Sequence, residues 1–587
     1  MLKAENIVTY SQYLVSLLIT WVLVIILVLR YFQIQVLSHD RYSQKANSNR
    51  IRKVTKTAPR GLILDRDGHI LVDNLPTYVL TAIPGELIHK ETQFGNISSI
   101  IGLDSSIVAK NYKKFYRGRF NATRLAKDLT FRQISKLEEN RLNLDGVYYE
   151  QFPERYFPSD IKASHILGYV KEVDKGVQSN LKNKNEYELG DLIGWNGLEQ
   201  YYEPFLKGSR GTSFFEVDAY GRTVRQVNEL EPHPPEPGQN IVTTLDYHIQ
   251  YTLEEIMKNK KGVILVSIPA KGEILGAVSA PDFKPDLFTG LMLEDEWKSI
   301  LHHPDKPLIN RFIQGLYPPG SIIKTVTAKT MMENPEFDPK TALMCDGSYQ
   351  FGDRLFGCWW TQGHGKMNLT DAILNSCDVY FYKTTHYYDL DVFGNSFRQF
   401  GFGDKTHIDI PGESIGNVPS IKSMNKRYGR YGWSRGALLN LSIGQGELLV
   451  TPMQVLKYIN LLATKGNTAN PHFVMTNDKG NDVTLQLDSD IWNQIHWDLR
   501  QVIVDENGTG KGAQPNVDQM IVYGKTGTAE NPHGENHAWF VGWMDYIDAQ
   551  YSIVVLLENA GSGGTKAAPV AREVFLAFEK KQMVSFE

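Results

Sequence analysis

Cysteine is nearly absent from this chain: there are three in 587 residues, Cys345, Cys358 and Cys377, too few for the disulfide framework that staples small secreted domains. Basic residues form no long run, and 62 Lys and Arg against 66 Asp and Glu leave a net charge of −4. No positive field is available to follow a nucleic-acid backbone, so nucleic-acid binding is excluded as the main task. Solenoid-period repeats and low-complexity tracts are missing, which argues against repeat arrays and disordered tails. Long apolar runs are missing too, with one exception: no residue from Asn6 to Leu29 is charged. A bilayer needs about 20 apolar residues, and a cleaved signal has only about 7–15 before a small-residue cleavage site. Here Arg30, Tyr31, Phe32 and Gln33 follow instead. We read residues 1–5 as a cytoplasmic tail and residues 6–30 as an uncleaved anchor helix.

The rest is ordinary in composition, with 42% hydrophobic and 22% charged residues, which places the bulk of the chain in folded soluble domains. Residues 31–235 alternate short strand-like runs with turns and contain no nucleophile with a base nearby. The Pro-rich break Glu231-Pro-His-Pro-Pro-Glu-Pro-Gly238 then ends this first region, because prolines preclude regular pairing. In residues 236–587, Val263–Ser267 and Glu273–Val278 predict a hairpin of buried strands. Helical patterns fill the middle, Ala538–Trp543 and Tyr551–Leu557 predict further strands, and Ala567–Glu579 predicts a closing helix. That order implies one sheet built from both ends of the region, with a helical lobe between them.

Three segments carry chemistry. In Tyr317-Pro-Pro-Gly-Ser321-Ile-Ile-Lys324 the prolines and glycine stop one element and a helix starts with Ser321 in its first turn. Residues three apart share a face, so Lys324 reaches the Ser321 hydroxyl and can take its proton. Asn375-Ser376-Cys377-Asp378 supplies a second hydroxyl and a polar group two residues on. Gly524-Lys525-Thr526-Gly527-Thr528 precedes the last strands; Lys525, Thr526 and Thr528 offer donors for a substrate carboxylate, and Gly527 lets a substrate backbone approach. Ser-x-x-Lys alone is common on helix surfaces. The ordered set Ser-x-x-Lys, Ser-x-Asp, Lys-Thr-Gly is the signature of serine β-lactamases and penicillin-binding proteins.

The surrounding sequence sharpens the resemblance. Asn310–Ser321, Ile443-Gly-Gln-Gly-Glu-Leu-Leu-Val-Thr-Pro452 and His537-Ala-Trp-Phe-Val-Gly542 resemble high-molecular-weight class B penicillin-binding proteins. Ala58–Gly68, Gly194-Trp-Asn-Gly-Leu-Glu199, Gly221-Arg222 and Thr243–Asp246 resemble the pedestal motifs of that class. Ser-x-Asp, and the insert with Cys and His after the nucleophile helix, are most similar to the elongation branch, penicillin-binding protein 2; the division branch is the alternative. The resemblance implies a multidomain α+β fold: an anchor helix, an α+β pedestal over residues 31–235, and a transpeptidase domain over 236–587 with an antiparallel sheet and an all-helical lobe. It implies that Ser321 attacks the penultimate D-Ala of a peptidoglycan stem peptide, Lys324 takes its proton, Ser376 relays a proton to the leaving D-Ala, and the N–H groups of Ser321 and Thr528 hold the oxyanion. Lys525 would keep Lys324 neutral and, with Thr526 and Thr528, bind the terminal carboxylate. Asp378, where Asn is usual, needs a donor from Lys324 or a peptide N–H.

Further implications are inhibition by β-lactam antibiotics, carboxypeptidase side activity when water replaces the amine, and a RodA-type SEDS glycosyltransferase as partner within the elongation complex. A single-pass location in the inner membrane, with the catalytic domain periplasmic, follows from the substrate. A β-lactamase of class A would need a deacylating Glu that Arg435–Leu441 lacks, and a β-lactam sensor would need a cytosolic output domain.

No cofactor is expected for catalysis. Cys345, Cys358, His364 and Cys377 form a Cys3His set suited to structural zinc. If Ser376 and Asp378 face the cleft, Cys377 between them points behind it, where a metal would brace the loop. A Cys345–Cys358 disulfide with a leftover thiol is the competing reading. Gly508-Thr-Gly-Lys-Gly512 lacks the residues of a phosphate loop and reads as a plain loop. His302-His303 reads as exposed, Trp359-Trp360 as core or groove packing, and Val455–Leu462 as core.

Overall fold

The computed structural model describes residues 10–40, 42, 51–87, 89–217, 223–227, 230–288, 294–475 and 482–585. The expected tail, the first residues of the expected anchor and the Gly221-Arg222 pair lie outside them. Helix α1, Tyr10–Phe32, buries none of its side chains. At about 1.5 Å per residue it matches the roughly 30 Å hydrocarbon thickness of a bilayer, and among the described residues it is the one helix long and apolar enough to cross a membrane.

The chain forms two compact units that interleave along the sequence. One comprises residues up to Ala58 with Thr77–Phe152 and Ser209–Glu236. Its core gathers Leu80, Ile97, Val108, Leu125 and Ile134 under three helices, of which Phe131–Glu139 is fixed by a reciprocal Thr130–Gln133 capping box. Strands Ile51–Lys56, Gly211–Val217 and Thr223–Gln226 form a separate sheet in this unit.

The larger unit takes Pro59–Pro76, Pro153–Gly208 and Pro237–Glu587. Within it Glu199, wholly buried, accepts from Arg60 Nη2 at 2.6 Å and Arg155 Nε at 2.6 Å; Arg60 also reaches Glu203. Two guanidiniums per buried carboxylate tie three distant segments together, and losing either partner would leave an uncompensated buried charge. The pedestal-like motifs at Arg60 and Glu199 are therefore structural ties.

The sheet that organises this unit is antiparallel. Helix α2, Tyr247–Met257, leads into β1, Gly262–Ile268, and β2, Glu273–Ala280. Helices α3, Lys324–Met332, α4, Leu369–Leu374, α5, Asp378–Lys383, α6, Pro452–Ala463, and α7, Ser489–Val504, follow. The chain returns as β3, Met520–Ala529, β4, His537–Tyr546, and β5, Ala549–Leu557, and closes with α8, Ala568–Ser585. Strand order is β2-β1-β5-β4-β3. Because both faces are covered, β1 and β5 are near-continuous apolar runs, and their period of two divides them between two cores. Ile264, Val266, Ile553 and Val555 face the core built with α2 and α8; Val263, Leu265, Val554 and Leu556 face the core built with α6 and α7. Every residue of α6 is buried, and a Thr451–Gln454 capping box with Pro452 at the first position starts it. The expected core stripe at Val455–Leu462 is thus a helix buried all round, whose Asn460 accepts from Ser267 on β1 at 2.9 Å. Strand β3 lies at the sheet edge.

Candidate active site

The turn before Ser321 is set by Gly320, whose φ of +57° lies where L side chains are strained. Its N–H donates to the Gly444 carbonyl at 2.9 Å, and a Cβ at Gly444 would lie 2.2 Å from the Gly320 carbonyl oxygen. Ser321 then occupies a 3-10 turn, Gly320–Ile323, ahead of α3, which Lys324 begins. In 3-10 geometry residues three apart eclipse one another, so the two side chains project from one face. The opposite support is β3. A Cβ at Gly527 would stand 2.8 Å from Ile322 Cγ2 and 3.1 Å from the Pro319 carbonyl, so the room this glycine leaves on that face is taken by the Ser321 turn. Trp539 Nε1 on β4 donates to the Pro318 carbonyl at 3.2 Å.

Lys324 is fully buried, and its side-chain nitrogen gathers the second motif. It donates to Asp378 Oδ1 at 2.8 Å, to the Ser376 carbonyl at 2.8 Å, and to Ser376 Oγ at 3.3 Å. Ser376 holds φ +53°, a conformation a non-glycine residue pays about 1 kcal/mol or more to adopt. It is kept there because α4 ends beneath it, Cys377 N–H reaching the Ala372 carbonyl at 2.9 Å, and α5 begins at Asp378. Asp378 finds both kinds of expected donor: Lys324 on one oxygen, and the main-chain N–H of Trp359 on the other at 3.1 Å.

Lys525 is buried on β3 and donates to the Thr526 carbonyl at 3.1 Å. Burial first, and then the charge of Lys324, push its pKa well below the usual lysine range. Thr526 is buried and its hydroxyl donates to Thr509 Oγ1 at 2.9 Å. Thr528 is exposed; its carbonyl faces Gln445 Nε2 at 3.5 Å, and its hydroxyl accepts from Gly563 N–H at 3.2 Å.

The structure thus joins Lys324, Ser376 and Asp378 directly, sets Lys525 within their field, and seats Ser321 on a turn packed against β3. Two residues that sequence reasoning passed over also serve this site. Trp359 acts through its main chain, and its exposed indole donates to the Asn375 carbonyl at 3.0 Å; of the core or groove packing expected for Trp359 and Trp360, the core half is corrected, since they are 55% and 45% exposed. Thr509 lies in the segment read as a plain loop, yet it reaches the Leu374 carbonyl as well as Thr526, linking the second and third motifs. His302 and His303 are exposed, as expected.

Behind the catalytic loop, Cys345, Cys358, His364 and Cys377 converge, their ligand atoms lying within 4.8 Å of one another. All three cysteines are free and buried, so the Cys345–Cys358 disulfide is absent. His364 Nδ1 lies 3.6 Å from both Cys345 Sγ and Cys358 Sγ. Tetrahedral zinc bonds of about 2.3 Å to sulfur and 2.0 Å to nitrogen put such atoms roughly 3.5 Å apart, so the donor set fits that ion. The contact with Cys377 favours the Cys358 thiolate and pushes Cys377 up. Cys358 directly precedes Trp359, and Cys377 directly precedes Asp378.

Known proteins match this architecture over nearly its whole length. The family profile for the penicillin binding protein transpeptidase domain matches residues 262–576, and that for the penicillin-binding protein dimerisation domain matches residues 55–243. The peptidoglycan D,D-transpeptidase MrdA of Haemophilus influenzae is 30% identical over 97% of this chain and 92% of its own. Penicillin-binding protein 2 of Helicobacter pylori, solved in complex with MreC, superposes with a TM-score of 0.81 at 28% identity, covering 90% of this chain and 99% of that one. A chain of a peptidoglycan synthase complex described as coordinating polymerization and crosslinking gives 0.71 at 27% identity over 97% and 98%. A buried Lys324 gripping Ser376 and Asp378, a cationic strand edge and a profile match across the catalytic unit place the chain in the penicillin-binding protein transpeptidase family.

Proposed function

We propose that this chain is the peptidoglycan D,D-transpeptidase of cell elongation and rod-shape maintenance, acting through a Ser321 acyl-enzyme. The observation that carries the reading is the contact of Lys324 with Ser376 and Asp378, within the field of Lys525. Lys324, in its neutral amine form, takes the Ser321 proton as the hydroxyl attacks the penultimate D-Ala carbonyl. Main-chain N–H groups of Ser321 and Thr528 hold the oxyanion, and Ser376 passes a proton to the departing D-Ala. Asp378, held by Trp359, fixes the amine of Lys324. Thr526 and Thr528 with Lys525 receive the terminal carboxylate. A penicillin is expected to leave a covalent ester on the peptide containing Ser321, read by mass mapping; an adduct elsewhere, or none, would sink the assignment.

The MrdA and penicillin-binding protein 2 relatives support the elongation branch. A membrane anchor at α1, a periplasmic catalytic unit, and a RodA-type glycosyltransferase within the elongation complex complete the proposal; the MreC complex of the Helicobacter pylori protein and the synthase complex supply the precedent.

Cys345, Cys358, His364 and Cys377 would hold zinc, which supplies a closed cross-link and no catalytic step. These residues clamp the Trp359–Asp378 hydrogen bond from both ends. Stripping the metal is expected to slow penicillin acylation by roughly 10-fold or more, the scale of supporting-ligand losses, to lower the melting temperature, and to expose three titratable thiols. Metal analysis with thiol counting checks this. Three reactive thiols in protein purified without chelator would refute zinc, and two oxidised ones would restore the disulfide.

A further inference from the structure

Beside the catalytic cleft lies a hollow that the reaction above leaves unused. It has a volume of about 340 Å³ and lies between the hairpin of Ser348–Phe351 and Arg354–Gly357 and the segment Gly432–Glu447. Phe351, Phe356, Trp433 and Leu441 make its apolar walls, with Arg354 and Asn440 as polar members. Phe356 and Phe351 come close to Gly436, where a Cβ would lie 3.6 Å from Phe356 Cζ and 3.9 Å from Phe351 Cδ1, and Trp433 Nε1 donates to Asn425 Oδ1 at 2.7 Å.

Its charges are unequal. Glu447, on the rim, is already bound by Arg427 and by the Tyr428 hydroxyl. Arg354 has its guanidinium 4.9 Å above the Phe356 ring and pairs with no carboxylate among the described residues. The hollow therefore presents one unmatched cation over an aromatic wall, a setting for a carboxylate on an apolar stem.

The hollow also adjoins the segment that supports Ser321. Gly446 lines it, while Gly444 binds the N–H of Gly320 and Gln445 faces the Thr528 carbonyl. Two residues of chain span at most about 7 Å, so one rim starts that close to the support of the nucleophile turn. On the opposite wall, Phe356 is three residues from Trp359, the donor to Asp378. The donor's terminal carboxylate belongs at Lys525, Thr526 and Thr528, which leaves this side for the second substrate.

We propose that the hollow seats the acceptor stem peptide, an amine-bearing branch whose free carboxylate pairs with Arg354 while its methylenes lie along Phe351, Phe356 and Trp433. The proposal rests on the transpeptidase reading. The acceptor nitrogen attacks the ester carbon, the C–N bond forms, the bond to Ser321 Oγ breaks, and the amine proton ends on that oxygen.

The test uses the full chain in detergent, a thioester donor ending in a D-amino acid, and two synthetic acceptor tripeptides that differ in one group, a free carboxylate beside the amine or its amide. Arg354→Ala is expected to lower the ratio of aminolysis to hydrolysis about 5- to 20-fold for the carboxylate acceptor, with Arg354→Lys restoring part of it. The amide acceptor should be poor with the parent and indifferent to the substitution, and penicillin acylation, which needs no acceptor, should keep its rate. Equal partition ratios for parent and Arg354→Ala with both acceptors would overturn the proposal. So would a fall in penicillin acylation that matches the fall in aminolysis, since that marks a structural role. Failure of the parent to form the Ser321 ester would instead remove the transpeptidase reading, and this site with it.

Discussion

Lys324→Met is expected to slow penicillin acylation by about 10³- to 10⁴-fold, near the upper end of what a positioned base contributes, and also to weaken the fold. The two effects have separate causes. The rate falls because the substitution removes the amine that stands three residues from the Ser321 hydroxyl. The stability falls because Asp378 Oδ1 loses its 2.8 Å partner in a nearly buried setting, and breaking one side of such a pair costs about 3–5 kcal/mol. Lys324→Met with Asp378→Asn should regain most of that stability, since an amide oxygen still accepts from Trp359, and should regain no acylation. Stopped-flow labelling with a fluorescent penicillin reads the rate, and denaturant melts read the stability. A single variant that acylates at the parent rate would refute the role of Lys324.

Ser321→Ala is the change with the widest consequence: complete loss of penicillin labelling together with loss of cell-shape support. The substitution removes one oxygen from a turn otherwise held by main-chain contacts to Gly444, so folding should be within about 0.5 kcal/mol of the parent. Loss of function then reports chemistry alone. The measurement is complementation of a depleted rod-shaped host, scored by cell width, beside labelling of the purified chain. A variant that restores rods without labelling would show the protein to be a scaffold.

How much of this could be read beforehand divides by the kind of contact involved. Ser321 and Lys324 were legible because their spacing puts them on one face and two further motifs follow in a fixed order, and the hairpin Val263–Ser267 with Glu273–Val278 because doubly covered strands are apolar without interruption. The donor to Asp378 was legible only as a need: a main-chain N–H carries no side-chain signature, so nothing in the letters of Trp359 marks it. Thr509 escaped for a related reason, since a threonine in a glycine-rich loop looks the same whether or not a hydroxyl stands opposite. Gly527 was legible only as a close approach, because a missing side chain shows that something comes near and not what. The three cysteines and His364 were readable as a set because they lie close together in the sequence, and the fold brings those same four side chains together.

The sheet has a further implication for how the chain matures. Gly262 on β1 pairs with Leu557 on β5, so the early hairpin emerges with one edge open and must wait for nearly all the remaining polypeptide. Lys525 arrives on the same late segment. A nascent chain is therefore chemically silent until its last strands are delivered, and during that interval the bare strand edge is the place where a chaperone is most needed.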